Sequence, residues 1–380
     1  MPFEPNTLFP GLLSESAARV AQDAANHSDV HPAAALICEM GWNAVLVPEA
    51  QGGAGGDFQD LAAIIEGLAT HAVNLPVVTR CGVIPAILNA LPKQPSVQTL
   101  QTGIAEGVYI VESGGPLHPG DPTPPLSASR GKQGWQLSGT TTGIELTDDC
   151  THVLLIGRDA IDDKAILISV ATERLTCSKT IYRTMDDRQI AIFHLDEFPV
   201  RDDDILATGL AAVQSIHAGW RIAAAATATD SVCSMGSALS RTISYLLERK
   251  QFGHALADFQ ALRHDVARLY VTYELCRSLL QATLRTLEQS QADGDDTSAL
   301  DLLGLYIGQE AIRFAETVIQ LHGGMGMTLE MPAAQLATRL LANALRYGDP
   351  LTYQQKINRL QCGGHTSFSH AVNAQVSRGD

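Results

Sequence analysis

Apolar residues recur at helical spacing in ESAARVAQDAANHS and PAAALICEMGW, and the period predicts two helices near the start of the chain. VPEAQGGAGGDFQ reads as a glycine-rich loop. Asp57 at its end is placed to cap a following helix, FQDLAAIIEGLATHA. Pro85 and Pro92 are expected to break the pattern after it. From about Gly107 to Asp204 the period changes. GVYIVES, GWQLSGT, THVLLIGR, KAILISV and QIAIFHLDE are short runs rich in β-branched residues and separated by turn residues. They predict a small β-barrel or sandwich, with SGGPLHPGDPTPPLS as a loop too rich in Pro and Gly for a strand. From about Leu206 the chain turns helical again, with amphipathic runs over 210–250, 256–291, 297–322 and 331–346. QSQADGDDTS is a polar connection and SHAVNAQVSRGD a weakly ordered tail. The fold class is α+β, in three expected domains: 1–106 helical, 107–205 β, and 206–380 a helical bundle.

Composition narrows the function classes. A chain of 380 residues, 45% hydrophobic and 18% charged, supports two or three domains with substantial cores. A net charge of −15 argues against a nucleic-acid partner but does not forbid a small anionic ligand, because a few local arginines can outweigh the mean field. The seven cysteines, at 38, 81, 150, 177, 233, 276 and 362, form no CxxC pair. Reduced thiols and a cytoplasmic location are therefore expected, without a disulfide framework or metal site. MPFEPNTLFPG lacks a basic segment leading into an apolar one, so no signal peptide is expected. The apolar run AGWRIAAAATATDSV is too short to span a membrane and carries Arg221.

Two segments carry candidate chemistry. In LLERKQFGHALADFQALRHDVA a helical run bears Arg249-Lys250-Gln251, breaks at Phe252-Gly253 and resumes at Phe259-Gln260. Some seventy residues on, VIQLHGGMGMTLE sets Gln320 ahead of Gly323-Gly324 between two helical patterns. A guanidinium offers a planar fork of donors to a diphosphate, and glycines let the backbone approach a ligand closely. The plainer readings are a surface Arg249 paired with Glu248 or Asp265 and a helix C-cap at Gly323-Gly324. Phe252 and Phe259 are expected to pack in the core, with Phe252 also within reach of a ligand, and Trp42 and Trp135 to be packing residues. His264 and His322 stand alone, without metal-ligand partners at useful spacing.

The order of these segments resembles the acyl-CoA dehydrogenase family over nearly the whole chain. GWNAVLVPEAQGGAGGDFQDLAAIIEGLA is similar to the family's N-domain signature, GWQLSGT to the start of its β-domain hairpin, and LERKQFG…FQ and QLHGGMG to its two C-domain signatures. The resemblance implies a helical N-domain, a small β-barrel middle domain and a C-terminal four-helix bundle. It also implies FAD as cofactor and dehydrogenation of an acyl-CoA thioester at its α,β-bond. A carboxylate base takes the α-proton, and the β-hydrogen leaves as hydride to the flavin.

Several of the family's active-site residues have no counterpart. Where many members carry a Tyr-Glu-Gly-Thr turn, this chain has Arg346-Tyr347-Gly348-Asp349. A second family position for the base, about eight helical turns before the QFG motif, falls at Ala223 and Ala224. Glu112 survives from the family's TEP loop. On the family's Trp-Ile-Thr hairpin, Gly143 stands at the Trp and Glu145 at the Thr. The resemblance thus assigns Arg249, Gln251, Phe252, Gln320, Gly323 and Gly324 to cofactor binding across an interface, and no catalytic residue. It is similar to the base-lacking subunit of bacterial heteromeric enzymes, especially those acting on steroid side chains. Expected partners are a paralogous subunit carrying the base, in a heterotetramer with two copies of each chain, an acyl-CoA substrate and an electron-transfer flavoprotein. Open beside this are a self-sufficient homo-oligomer with its base elsewhere (Glu112, Glu145 or Asp349), a flavoprotein of altered chemistry, and a scaffold subunit without flavin.

Overall fold

The computed structural model describes residues 3–26, 33–114, 126–131, 134–289, 297–328 and 330–362. The expected tail and most of the polar connection fall outside them. The first helices are α1 (Leu12–Asn26), α2 (Ala33–Glu39), α3 (Phe58–Ala69), α4 (Ile84–Asn89) and α5 (Pro95–Ala105). Asp57 caps α3 as its sequence position implies. Its carboxylate accepts from the backbone N–H of Gln59 and Asp60, and Asp60 reaches back to the Asp57 N–H. Pro85 does not break the chain. It lies in the first turn of α4, where a missing N–H costs no helical bond, and a π-helical turn, Val78–Val83, leads directly into it. Such wide turns concentrate at functional sites, and this one carries Thr79 and Arg80.

Nine strands follow: β1 (Val111–Gly114), β2 (Leu126–Gly131), β3 (Gly134–Thr140), β4 (Ile144–Glu145), β5 (His152–Asp159), β6 (Ala165–Ala171), β7 (Lys179–Arg183), β8 (Gln189–Val200) and β9 (Ile205–Thr208). They form one sheet in the order β4-β8-β3-β2-β5-β6-β9, with β1 added on β5 and β7 on β8. Among the described residues no pairing joins the two ends, so the expected barrel is an open sheet by its hydrogen bonds. Leu126 and Ser127, at the end of the expected Pro/Gly loop, open β2. β5 is buried on both faces. Val153 and Leu155 enter the core of the sheet, while Leu154 and Ile156 join the large core shared with the helices.

The remaining helices are α6 (Leu210–Glu248), α7 (Gln260–Gln289), α8 (Ser298–His322), α9 (Pro332–Arg346) and α10 (Pro350–Cys362). The first four match the amphipathic runs closely, and α6 packs against α7, α8 and α9. α10 had no counterpart among those runs. Asp349 starts it, accepting from the Thr352 N–H at 2.7 Å.

The close approach of α1 to α3 depends on Gly67. A Cβ there would lie 2.5 Å from both the Ala17 Cβ and the Ser14 carbonyl oxygen. Gly67→Ala is expected to destabilise the chain by about 1–3 kcal/mol through overpacking. Urea unfolding would measure it, and an unchanged midpoint would show that the helices can part without cost.

Candidate functional site

The two C-terminal signature segments meet at one corner of the helical layer. Tyr245, near the end of α6, stacks on His322 at the end of α8 with ring centroids 4.5 Å apart. Arg249 terminates α6, its N–H bonded to the Tyr245 carbonyl. Gly323 follows His322 directly, at φ +57. Lys250–Gln251 and His254–Ala255 pair as two short strands around Phe252-Gly253. Both turn residues have positive φ, 54° and 81°, as a type I′ hairpin requires. A phenylalanine there is strained, since the left-handed region suits glycine. Phe252 is not a core residue: it is 88% exposed, touching Phe259 edge-on.

This corner presents exposed polar side chains and open backbone, the chemistry a diphosphate would need. Arg249, Gln251 and Gln320 are exposed, and Arg249 has no ion-pair partner among the described residues, so neither Glu248 nor Asp265 holds it. Asp265 instead pairs with Arg268 at 2.8 Å. A Cβ on Gly323 or Gly324 would meet nothing within 4 Å, so the backbone of the turn lies open.

The ring side of the expected site is built differently. Ala223 and Ala224 are buried in α6 and carry no acid. The Tyr347 hydroxyl bonds Thr79 Oγ1 at 2.7 Å. Beside it, Arg346 donates to Glu145 at 2.5 Å and to Thr79 at 3.3 Å. Glu145 also faces Arg188 at 3.4 Å, and Arg188 holds Asp186 at 2.7 Å. Arg80 donates to Glu112 at 2.5 Å and to Asp149 at 3.3 Å, and it also bonds Thr147. Asn74 bonds the Asp186 carbonyl and accepts from Arg339 at 3.4 Å, and Arg339 in turn pairs with Asp230 at 2.8 Å. All three parts of the fold contribute to this one polar network.

Electrostatics follow from burial and pairing. Burial alone would weaken the Arg346 charge, but Tyr347, Glu145, Asp230 and Asp186 around it hold its pKa above the ordinary arginine value. Glu112 is fully buried, and desolvation raises its carboxyl above the usual range despite the opposing Arg80 charge. Its Oε2 and the Arg80 Nη1 have no hydrogen-bond partner among the described residues. Gly143 leaves no room for an indole: a Cβ there would lie 2.7 Å from Ile190 Cγ2 and 3.3 Å from the Tyr182 hydroxyl.

The network's arginines were not among the sequence candidates. Arg80 had a usable signal, being a lone charge in the apolar run VVTRCGVIPAI, where a buried cation needs a partner. Arg346 had none, because its carboxylate, Glu145, is 201 residues away, and the pairing of Arg188 with Asp186 two residues before it looks like an ordinary surface turn. Among the described residues there is no metal-ligating cluster, and no helix is long and apolar enough to cross a membrane.

Residues 208–349 match the family model described as acyl-CoA dehydrogenase, C-terminal domain. Acyl-CoA dehydrogenase FadE28 of Mycobacterium tuberculosis is 26% identical over 298 residues, covering 78% of this chain and 83% of its own length. Among solved structures, a variant of the Tcur3481-Tcur3483 steroid ACAD shares the fold with TM-score 0.77 at 24% identity, over 93% of this chain and 98% of that one. The ChsE4-ChsE5 complex from Mycobacterium tuberculosis does so with TM-score 0.76 at 16% identity, over 93% and 98%. The C-terminal part of the chain thus matches the acyl-CoA dehydrogenase family, and most of its length is similar to proteins described as acyl-CoA dehydrogenases.

Asp186 gives the network a pH signature. Burial would raise its carboxyl, but Arg188, Thr184 and Arg346 outweigh that and lower it. A lowered folded-state pKa contributes stability that is present above the unfolded value, about 3.9, and lost as pH falls through the folded value. Asp186→Asn is expected to be less stable at pH 7 and to lose less on acidification below about pH 4. Unfolding free energies on either side of that range would measure it. Parallel pH profiles for the two proteins would contradict it.

Proposed function

We propose that this chain is a subunit of an FAD-dependent acyl-CoA dehydrogenase, lending FAD contacts to a paralogous partner that carries the base. One contrast carries this reading. Arg249, Gln251, Phe252, Gln320, Gly323 and Gly324 lie on the surface, apart from packing. Of the positions matched to the family's base and flavin-ring contacts, Tyr347, Glu145 and Glu112 bond to other side chains of this chain, and Ala223, Ala224 and Gly143 carry no polar group. Exposed Phe252, Leu247, Met325 and Met327 give the two signature segments apolar surface that a partner subunit would cover. The fold neighbours named as the Tcur3481-Tcur3483 steroid ACAD and the ChsE4-ChsE5 complex support a heteromer, and the former supports a steroid side-chain acyl-CoA as substrate.

In this reading the enzyme is a cytoplasmic heterotetramer with two copies of each chain. The partner's glutamate takes the α-proton of the acyl thioester. Bound FAD supplies the hydride acceptor for the β-hydrogen, and an electron-transfer flavoprotein takes the electrons onward. This chain's part is to hold the diphosphate with the Arg249 guanidinium and the adenosine side with Gln320 and the open glycine turn. We divide its labour along the three domains 1–106, 107–205 and 206–380, the donating residues all belonging to the last.

One observation favours a second reading. Glu112 Oε2 is a buried carboxylate oxygen without a partner, and a self-sufficient homo-oligomer would use it as base. Its Oε1 is spent on Arg80, and its raised pKa leaves less of the ionised form that a base requires.

Arg249→Ala in the co-expressed complex should weaken FAD retention by about 1.5–3 kcal/mol, the scale of a charged hydrogen bond, and Gln320→Ala by less. Flavin content after gel filtration measures both, and full retention in each would reduce these residues to structural ones. Glu112→Gln and Asp349→Asn should keep kcat of the assembled enzyme within a few-fold, whereas loss of a true general base costs on the order of 100-fold or more. Anaerobic flavin bleaching with acyl-CoA reads the step directly. A collapsed bleaching rate in Glu112→Gln with FAD still bound would move the base onto this chain.

A further inference from the structure

We infer that the chain's own ring-and-thioester cleft is closed by its own side chains, which occupy the place of both ligands and fasten the three parts of the fold together without them. The inference rests on the half-site reading above and deepens it. It turns a missing base into a filled pocket.

Three separate stretches converge on the closure. The π-helical turn brings Thr79 and Arg80, the sheet brings Glu112 and Glu145, and the end of α9 brings Arg346 and Tyr347. In a receptive pocket, polar groups would face a common void. Here they face one another: Tyr347 with Thr79 at 2.7 Å, Arg346 with Glu145 at 2.5 Å, and Arg80 with Glu112 at 2.5 Å. Side-chain exposure is 12% for Arg346 and 11% for Glu145, so the pair is largely, though not wholly, shielded from solvent. Shape agrees with charge. The volume above Gly143 is taken by Ile190 and Tyr182.

The space left beside Arg80 agrees as well. The cavity it lines with Cys38, Asn43 and Tyr109 measures about 20 Å³, room for one water. Opening the cleft is not a single rotamer change. Thr79 and Arg80 are neighbours, as are Arg346 and Tyr347, so moving either short segment disrupts more than one bond and strands buried charges. Most of the network's charged atoms are answered: Arg188 and Asp186 stand behind Glu145, and Asp149 stands behind Arg80, while Glu112 Oε2 and Arg80 Nη1 have no hydrogen-bond partner among the described residues.

The test uses the full-length chain purified alone and riboflavin, which has the flavin ring without the adenosine diphosphate. Riboflavin fluorescence should show no saturable quenching, and hydrogen exchange over 78–83, 111–114, 144–147 and 344–349 should not change on its addition. The double variant Glu145→Ala/Arg346→Ala removes a charge-balanced pair and opens the cleft. If folded by circular dichroism, it should bind riboflavin at least tenfold more tightly than the native chain. Saturable riboflavin binding by the native chain, with protection of those four segments, would overturn the inference. So would a folded double variant that gains no riboflavin affinity. If the double variant does not fold, the native-chain titration decides alone. Flavin retention by Arg249→Ala in the co-expressed complex reports on the half-site reading separately, so one can fail while the other stands.

Discussion

A buried charge must be answered, and that constraint organises the junction between the helices and the sheet. Arg346 leaves the end of α9 beside Glu145, Thr79 and the Tyr347 ring, and Arg80 enters from a π-helical turn to meet Glu112. Each of these groups would cost several kcal/mol if left alone in the interior. Paired, they draw the N-terminal helices, the sheet and the C-terminal bundle into one arrangement. The π-helical turn, the small residue at Gly143 and the cap at Asp349 are local accommodations to that junction.

The division between an inward-facing network and an outward-facing corner gives the chain its functional polarity. At the corner, the sequence spends a strained positive-φ phenylalanine and two open glycines on surface that lies exposed among the described residues. Strain of that kind persists only where the surroundings or a ligand sustain it. At the junction, the groups that resemble reactive ones are engaged with one another. In the proposed reading, a subunit with this pattern supplies binding surface to a neighbour and keeps its own interior closed.

Much of the fold was legible in the sequence. A 3.6-residue period over the 25 residues of α8 outlasts local noise, and Asp57 announced a helix cap by its position ahead of an apolar run. The missed strands were short, or, like β7, exposed along their whole length, so they lacked an alternating apolar signal. Pro85 was misread because a proline in the first turn of a helix looks, in sequence, like one that ends it. The donating corner was legible as motifs. The network was not: Arg346 and Glu145 are 201 residues apart, and Tyr347 and Thr79 are 268 apart. Single-sequence patterns carry no information about such pairs. The sheet closure expected from the family resemblance was likewise a matter of long-range pairing.

The most direct measurement is the flavin-to-polypeptide ratio of the complex isolated through a tag on this chain from the cells that make it naturally. The account predicts a second, paralogous chain in equal amount and about one FAD for every pair of unlike chains, as expected when an interface site is completed by two different subunits. A single kind of chain carrying one FAD each, and reduced by acyl-CoA, would contradict it.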